Sequence, residues 1–280
     1  MSYLCRVSLQ PHKLIDFTFT KYQELLTTLQ QRGYVFLTFA GYCRAKQDKT
    51  LPLRFVILRH DVDKHPEHSL HCAHIEYEMG ICASYYFRIK TESHQPNIIR
   101  NIAALGHEIG YHYEDFSSSK GNPRKAIRQF EQSLEYFRQF YPVSTICMHG
   151  APTCRWDERL LWKDYRYQDY GIIGEPYFDV DFSQVFYLTD TGRCWDGYQV
   201  SVYDKIPLYQ AQWIQQGLKF HHTDDIIRAM LNDSSDFPLQ VMINTHPQRW
   251  SNNIREWTIE LVAQNLKNVI KRLLILIRHL

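Results

Sequence analysis

The chain has 280 residues, enough for one large α/β domain or two small ones with a substantial buried core. Its 32 Lys and Arg against 30 Asp and Glu give a formal charge of +2, and this balance excludes the basic excess expected of a nucleic-acid-binding protein. Seven cysteines without a CxxC pair exclude a disulfide framework and a zinc ribbon, and they point to a reducing compartment.

The start, residues 1–6, lacks the basic segment and apolar core of a signal peptide. No run reaches the roughly 18 apolar residues of a membrane span. A cytoplasmic location is therefore the expectation. The 14 histidines are scattered rather than clustered, so neither a tag nor a metal-buffering tract accounts for them.

In chain order, the pattern predicts a helix over 17–31 and a strand over 34–39. A continuous apolar strand follows over 54–58, then a helix over 66–79 with Gly80 as its stop. Strands over 83–87 and 108–113 enclose a short helix over 97–105. Asn122 and Pro123, a cap and a first-turn proline, open a long helix that runs to about residue 140. A strand over 144–148 comes next, then a helical piece over 156–165 and a loop-rich stretch over 171–195 with short extended segments. Helix 223–231, strand 239–244 and a last helix from about 253 complete the chain. Alternating strands and helices imply parallel pairing, hence an α/β barrel or a doubly wound sheet. No repeat or linker marks a boundary, so a single domain is expected.

The polar clusters fall at C-terminal strand ends, the edge that carries chemistry in α/β barrels. Asp61 and Asp63 close the strand that begins at residue 54. His112, Glu114 and Asp115 close the strand over 108–113, His149 the one over 144–148, and His246 the one over 239–244. Two carboxylates one residue apart repel unless they share a cation or a proton; a helix cap plus a salt bridge explains them equally well. His107 and His112, five apart on a strand, point to opposite faces, which leaves His112 as the ligand candidate. Imidazole with carboxylates suits Zn²⁺ or another divalent first-row ion. The imidazole of His246 suits general acid work near neutrality, although a lone histidine is more often structural.

These residues resemble the polysaccharide deacetylases of the NodB-homology type, carbohydrate esterase family 4. The resemblance rests on Arg59-His60-Asp61-Val62-Asp63, on Gly106-His107-Glu108-Ile109-Gly110-Tyr111-His112, and on Ile243-Asn244-Thr245-His246, within a region of about 54–250. It implies a distorted (β/α) barrel of the glycoside hydrolase/deacetylase type, with Asp61 as general base, Asp63 and His112 on a metal, and His246 as general acid. The implied activity is hydrolysis of an N-acyl group on an amino sugar or related small amide.

The chain departs from the family in two places. Phe116 stands where the second metal-binding histidine belongs, so the third ligand must come from Glu114, Asp115 or His149, of which His149 is ranked first. The family's Arg-Pro-Pro loop is replaced by His149-Gly150-Ala151-Pro152, leaving Arg193 as the candidate to orient the catalytic aspartate.

Tyr111, Tyr113, Trp156, Tyr177, Trp195 and Trp250 are candidates for stacking on a sugar ring, and Arg193 and Glu114 for polar contacts to it. Two other readings stay open: a metal-independent, allantoinase-like C–N hydrolase, and a non-catalytic carbohydrate-binding protein of a surface-polysaccharide pathway. The basic amphipathic helix over 253–280 is expected to dock on the core, with peripheral membrane contact as the alternative.

Overall fold

A computed structural model describes residues 15–150, 154–201, 203–232 and 236–278. The expectations that fall on residues 1–6, on Ala151 and Pro152, and on the last two residues lie outside the described residues. In order, the elements are α1 (Phe19–Gln31), β1 (Val35–Leu37), α2 (Phe39–Gln47), β2 (Phe55–Val62), α3 (Pro66–Glu78), β3 (Ser84–Phe87), α4 (Pro96–Ala104), β4 (Glu108–Tyr113), α5 (Asp115–Ser118), α6 (Pro123–Arg138), β5 (Ile146–Met148), α7 (Pro176–Asp179), β6 (Phe186–Thr189), α8 (Pro207–Gln215), α9 (Thr223–Leu231), β7 (Gln240–Thr245) and α10 (Ile254–Arg278).

Local chemistry explains most boundaries. The Thr18 hydroxyl accepts from the Lys21 amide at the start of α1, and the Asn122 side-chain Oδ1 from the Lys125 amide at the start of α6, where Pro123 fills the first turn. Helix α3 ends at Glu78, and Gly80, at φ +69°, turns the chain toward β3. Helices α2 and α8 were not foreseen. Residues 156–165 hold a 3₁₀ turn, Glu158–Lys163, instead of an α-helix. The stretch over 171–195 contains a true sheet strand, β6.

Every strand pairing is parallel, and the sheet runs β5-β4-β3-β2-β7-β6. Strand β1 pairs with the first half of β2, Val35 opposite Phe55, while β3 pairs with the second half, Arg59 opposite Ser84. The fold is thus α/β with a parallel sheet, and it takes in β1, upstream of residue 54.

The sheet is strongly curved. Arg59, on central β2, donates to Cys147 Sγ on β5 at 2.6 Å and to the Tyr187 hydroxyl on β6 at 3.1 Å. In a flat sheet those end strands would lie about 14 and 10 Å to either side, at roughly 4.8 Å per strand. A guanidinium reaches both because the sheet wraps around it as a half-barrel. Close packing inside also fixes Gly110 on β4: a Cβ there would lie 2.3 Å from the Tyr86 ring.

Candidate active site

Parallel strands bring all their C-terminal ends to one edge, and alternation sends every second side chain to the concave face. On β2 that face takes Arg59, then Asp61 and, just past the strand, Asp63; on β4 it takes His112. The ladder between β4 and β5 runs one residue beyond β5, with the His149 amide donating to Tyr113 O at 2.9 Å. His149 therefore stands beside His112, ring centroids 5.1 Å apart and edge to face. His246, the first residue past β7, completes the ring of strand ends.

The structure gathers Asp63, His112 and His149 into one cluster. Asp63 Oδ1 lies 3.7 Å from His112 Nε2 and 3.4 Å from His149 Nε2. These spacings suit donors on one small divalent cation, where metal–ligand bonds of about 2.0–2.1 Å hold neighbouring ligand atoms a little over 3 Å apart. Asp63 Oδ1 is buried without a hydrogen-bond partner, as a vacant ligand atom would be. Cys147 O accepts from His112 Nδ1 at 2.9 Å, which leaves the Nε2 lone pair free to bind. The donor set fits a divalent ion.

Electrostatics prepare the cluster. Burial pushes the His112 pKa down to about 4, so the ring is neutral near pH 7. Burial alone would raise the Asp63 pKa, but His149, His246, His112 and Arg88 outweigh it and hold the carboxylate well below its usual range. Glu114 does not join the cluster. It is clamped by Arg88 at 2.8 Å, lies 3.3 Å from His149 Nδ1 and so orients that ring; against its burial, His149 and Arg88 lower its pKa to about 2. Asp115 is turned away to accept from the Tyr111 hydroxyl at 2.8 Å. Phe116 packs on Trp156 while Glu158 caps its amide at 2.9 Å, so its side chain faces a different wall.

Asp61 sits one step deeper. Its Oδ2 accepts from Asn244 Nδ2 at 2.8 Å and lies 3.4 Å from Arg59, while its Oδ1 is buried with no partner. That oxygen is an available proton acceptor at the floor of the cleft. His246 is held by Asp190, a fully buried carboxylate 2.7 Å from Nδ1 that also takes the His246 amide, Trp250 Nε1 and Arg249. Its Nε2 faces the cleft, 4.0 Å from Asp63 Oδ2. Burial works against the Asp190 charge, but Arg249 and His246 hold the pKa below its ordinary value.

Together these groups line a narrow cleft of about 90 Å³. Met148, Gly150, Tyr177, Thr191, Asp204, Arg249 and Lys271 of α10 also line it.

Several expected contacts fall elsewhere. Arg193 donates to Trp257 O at 3.0 Å and stacks on the Trp257 ring, against α10; the guanidinium beside Asp61 belongs to Arg59. Trp195 and Trp250 pack in the core with Phe17, and the Trp195 indole donates to Thr223. Tyr111 lies against Phe130 and Phe137 of α6, on the opposite face of β4 from His112. Tyr113 accepts from Trp162 and is equally buried. Of the six aromatics proposed for stacking, Tyr177 is the one that lines the cleft.

Arg59, Asp190, Asp204, Asn244 and Lys271 were not anticipated. Parity could have found two of them: Arg59 is two residues before Asp61, and Asn244 two before His246. Asp190 follows β6, a strand hidden in apparent loop. Asp204 accepts from the Tyr177 hydroxyl at 2.6 Å and Thr191 at 2.5 Å, and Lys271 reaches the cleft from the last helix; neither has a local signal.

No family model matches the chain, and no curated protein does. Among solved structures, it is similar to the Streptococcus pyogenes deacetylase PplD in complex with acetate, at 16% identity and a TM-score of 0.42. The similarity covers 51% of this chain and 66% of that one.

Proposed function

We propose that the protein is a metal-dependent hydrolase that removes an N-acyl group from an amino sugar or a related small amide. The observation that supports this reading is the convergence of three donors, Asp63, His112 and His149, beside a buried carboxylate with an open lone pair, Asp61, and an aspartate-held imidazole, His246.

A divalent ion held by Asp63, His112 and His149 would polarise a carbonyl and acidify a water. The remaining work belongs to the chain. Asp61 Oδ1 takes the proton of the attacking water, while Asn244 and Arg59 fix its other oxygen. As the C–N bond breaks, His246 Nε2 delivers a proton to the leaving nitrogen, and Asp190 balances the imidazolium charge. The products are a carboxylate and a free amine. The cleft is small and polar, which suits a short acyl group better than a long one.

The test couples metal content to turnover. Wild type should carry about one divalent ion per chain and release amine from a panel of N-acetylated amino sugars. Asp63→Ala and His112→Ala should lose both. Wild type without metal, and with turnover unaffected by EDTA, would overturn the proposal.

A further inference from the structure

Helix α10 is mounted the reverse way round from an ordinary surface helix. Its inward row is polar: Gln264 is 3% exposed, the Asn268 amide donates to Gly192 O at 2.8 Å, and Lys271 lines the cleft. Its outward row is aliphatic: Ile259 is 70% exposed, Leu266 63%, and Val262, Val269, Ile270 and Leu273 between 55% and 57%. A contiguous row of this kind approaches the few hundred Å² that mark a binding surface on a monomer.

The spacing of that row identifies what fits it. Ile259, Val262, Leu266, Val269 and Leu273 alternate steps of three and four, a period of 3.5, and in the sequence Leu276 continues it. A 3.5 repeat keeps a narrow seam facing another helix along its length, which a 3.6 repeat does not. Residues 259–273 contain no aromatic residue of the kind that anchors helices at a lipid surface. Charge is also polarised along the helix. Arg255, Glu256 and Glu260 put one cation and two anions in the first two turns, whereas Lys267, Arg272 and Arg278, besides the inward Lys271, make the later turns basic. An antiparallel copy of the same helix sets the acidic end of each against the basic end of the other, and a two-fold axis generates that arrangement from one surface.

We propose that the partner of this face is a second copy of the chain, with the two α10 helices packed antiparallel as a two-fold coiled coil. The pairing presses α10 against its own barrel and so holds Lys271 over the cleft.

Sedimentation of the full chain should give a species of twice 33.5 kDa. Leu266→Glu with Val269→Glu should weaken dimerisation about tenfold or more, since these side chains sit at the centre of the seam. Lys267→Gln with Arg272→Gln should weaken an antiparallel pair by removing attraction, and would strengthen a parallel one by removing repulsion. Unchanged helicity by circular dichroism keeps a folding defect apart from a loss of pairing. A chain that is monomeric at all concentrations, a dimer indifferent to the Leu266/Val269 change, tighter pairing in the Lys267/Arg272 variant, or a monomer that binds vesicles of anionic lipid through this face would each overturn the proposal.

Discussion

The two faces of the same strands carry two clusters of histidines and acids, and they differ in what is left unbonded. On the convex face, under α1 and α3, Glu76 is fully buried and fully used. It accepts from Tyr22 at 2.5 Å and Tyr85 at 2.7 Å and lies 2.8 Å from His60 Nε2 and 3.5 Å from His107 Nδ1. His60 Nδ1 meets the Thr245 hydroxyl at 2.6 Å, and Ala73 O lies 3.0 Å from His107 Nε2. On the concave face, Asp61 Oδ1 and Asp63 Oδ1 are buried without a hydrogen bond, Asp63 Oδ1 meeting the His112 and His149 rings at 3.7 and 3.4 Å. A satisfied buried network rigidifies a fold; open lone pairs at a strand edge cost stability and are retained where chemistry uses them. Composition cannot separate the two clusters, because both are built from imidazoles and carboxylates.

The comparison can be broken by mutation. Asp61→Asn should cut turnover by about a hundredfold or more while leaving the melting temperature unchanged or higher, since it removes a proton acceptor and not a packing group. A large drop in melting temperature would mean that the concave cluster is structural. Glu76→Gln should act oppositely. Breaking a buried, fully paired charge costs about 3–5 kcal/mol, readable by chemical denaturation, while turnover per folded molecule persists.

The two faces should also unfold in different pH windows. His112 has its folded pKa depressed to about 4 against an ordinary value of 6.5, so the unfolded chain binds its proton more readily. Its contribution is complete above pH 6.5 and is lost as pH falls toward 4, in all about 3 kcal/mol. Metal would deepen that loss, because a proton and a ligand bond compete for the same nitrogen. Burial alone would raise the Glu76 pKa, but His60, His107 and Tyr22 hold it below its ordinary 4.5. Its contribution is therefore present above pH 4.5 and is lost only as pH falls below that. The stability gap between metal-free wild type and His112→Gln should change as pH falls from 6.5 to 4 and then stay constant at lower pH.

The smallest effect should come from Phe116→His. This change installs the histidine expected there from the motif resemblance, yet the side chain faces Trp156 instead of the cleft. It should leave metal content unchanged and cost about 1–3 kcal/mol of stability from lost aromatic packing. A gain in metal affinity would show that the side chain at 116 reaches the cleft.

The hydrophobic pattern made most strands and the long helices legible, and strand ends located the candidate cleft, because parallel pairing forces C-terminal residues onto one edge. Parity correctly separated His107 from His112. The aromatic candidates failed for a definite reason: tyrosine and tryptophan serve core and rim alike, and parity on β4 already turned Tyr111 and Tyr113 toward α6.

What the sequence alone determined is local: the cap at Asn122, the buried strand leading to Asp61, and the α/β alternation that implies a parallel sheet. Tertiary structure decided which distant groups meet. It set Arg59 between two end strands, put Asp190 behind His246 across 56 residues of chain, and turned the polar side of α10 inward. Such pairings depend on sheet curvature and helix docking, which sum many weak contacts over the whole chain and leave no mark on the residues nearby.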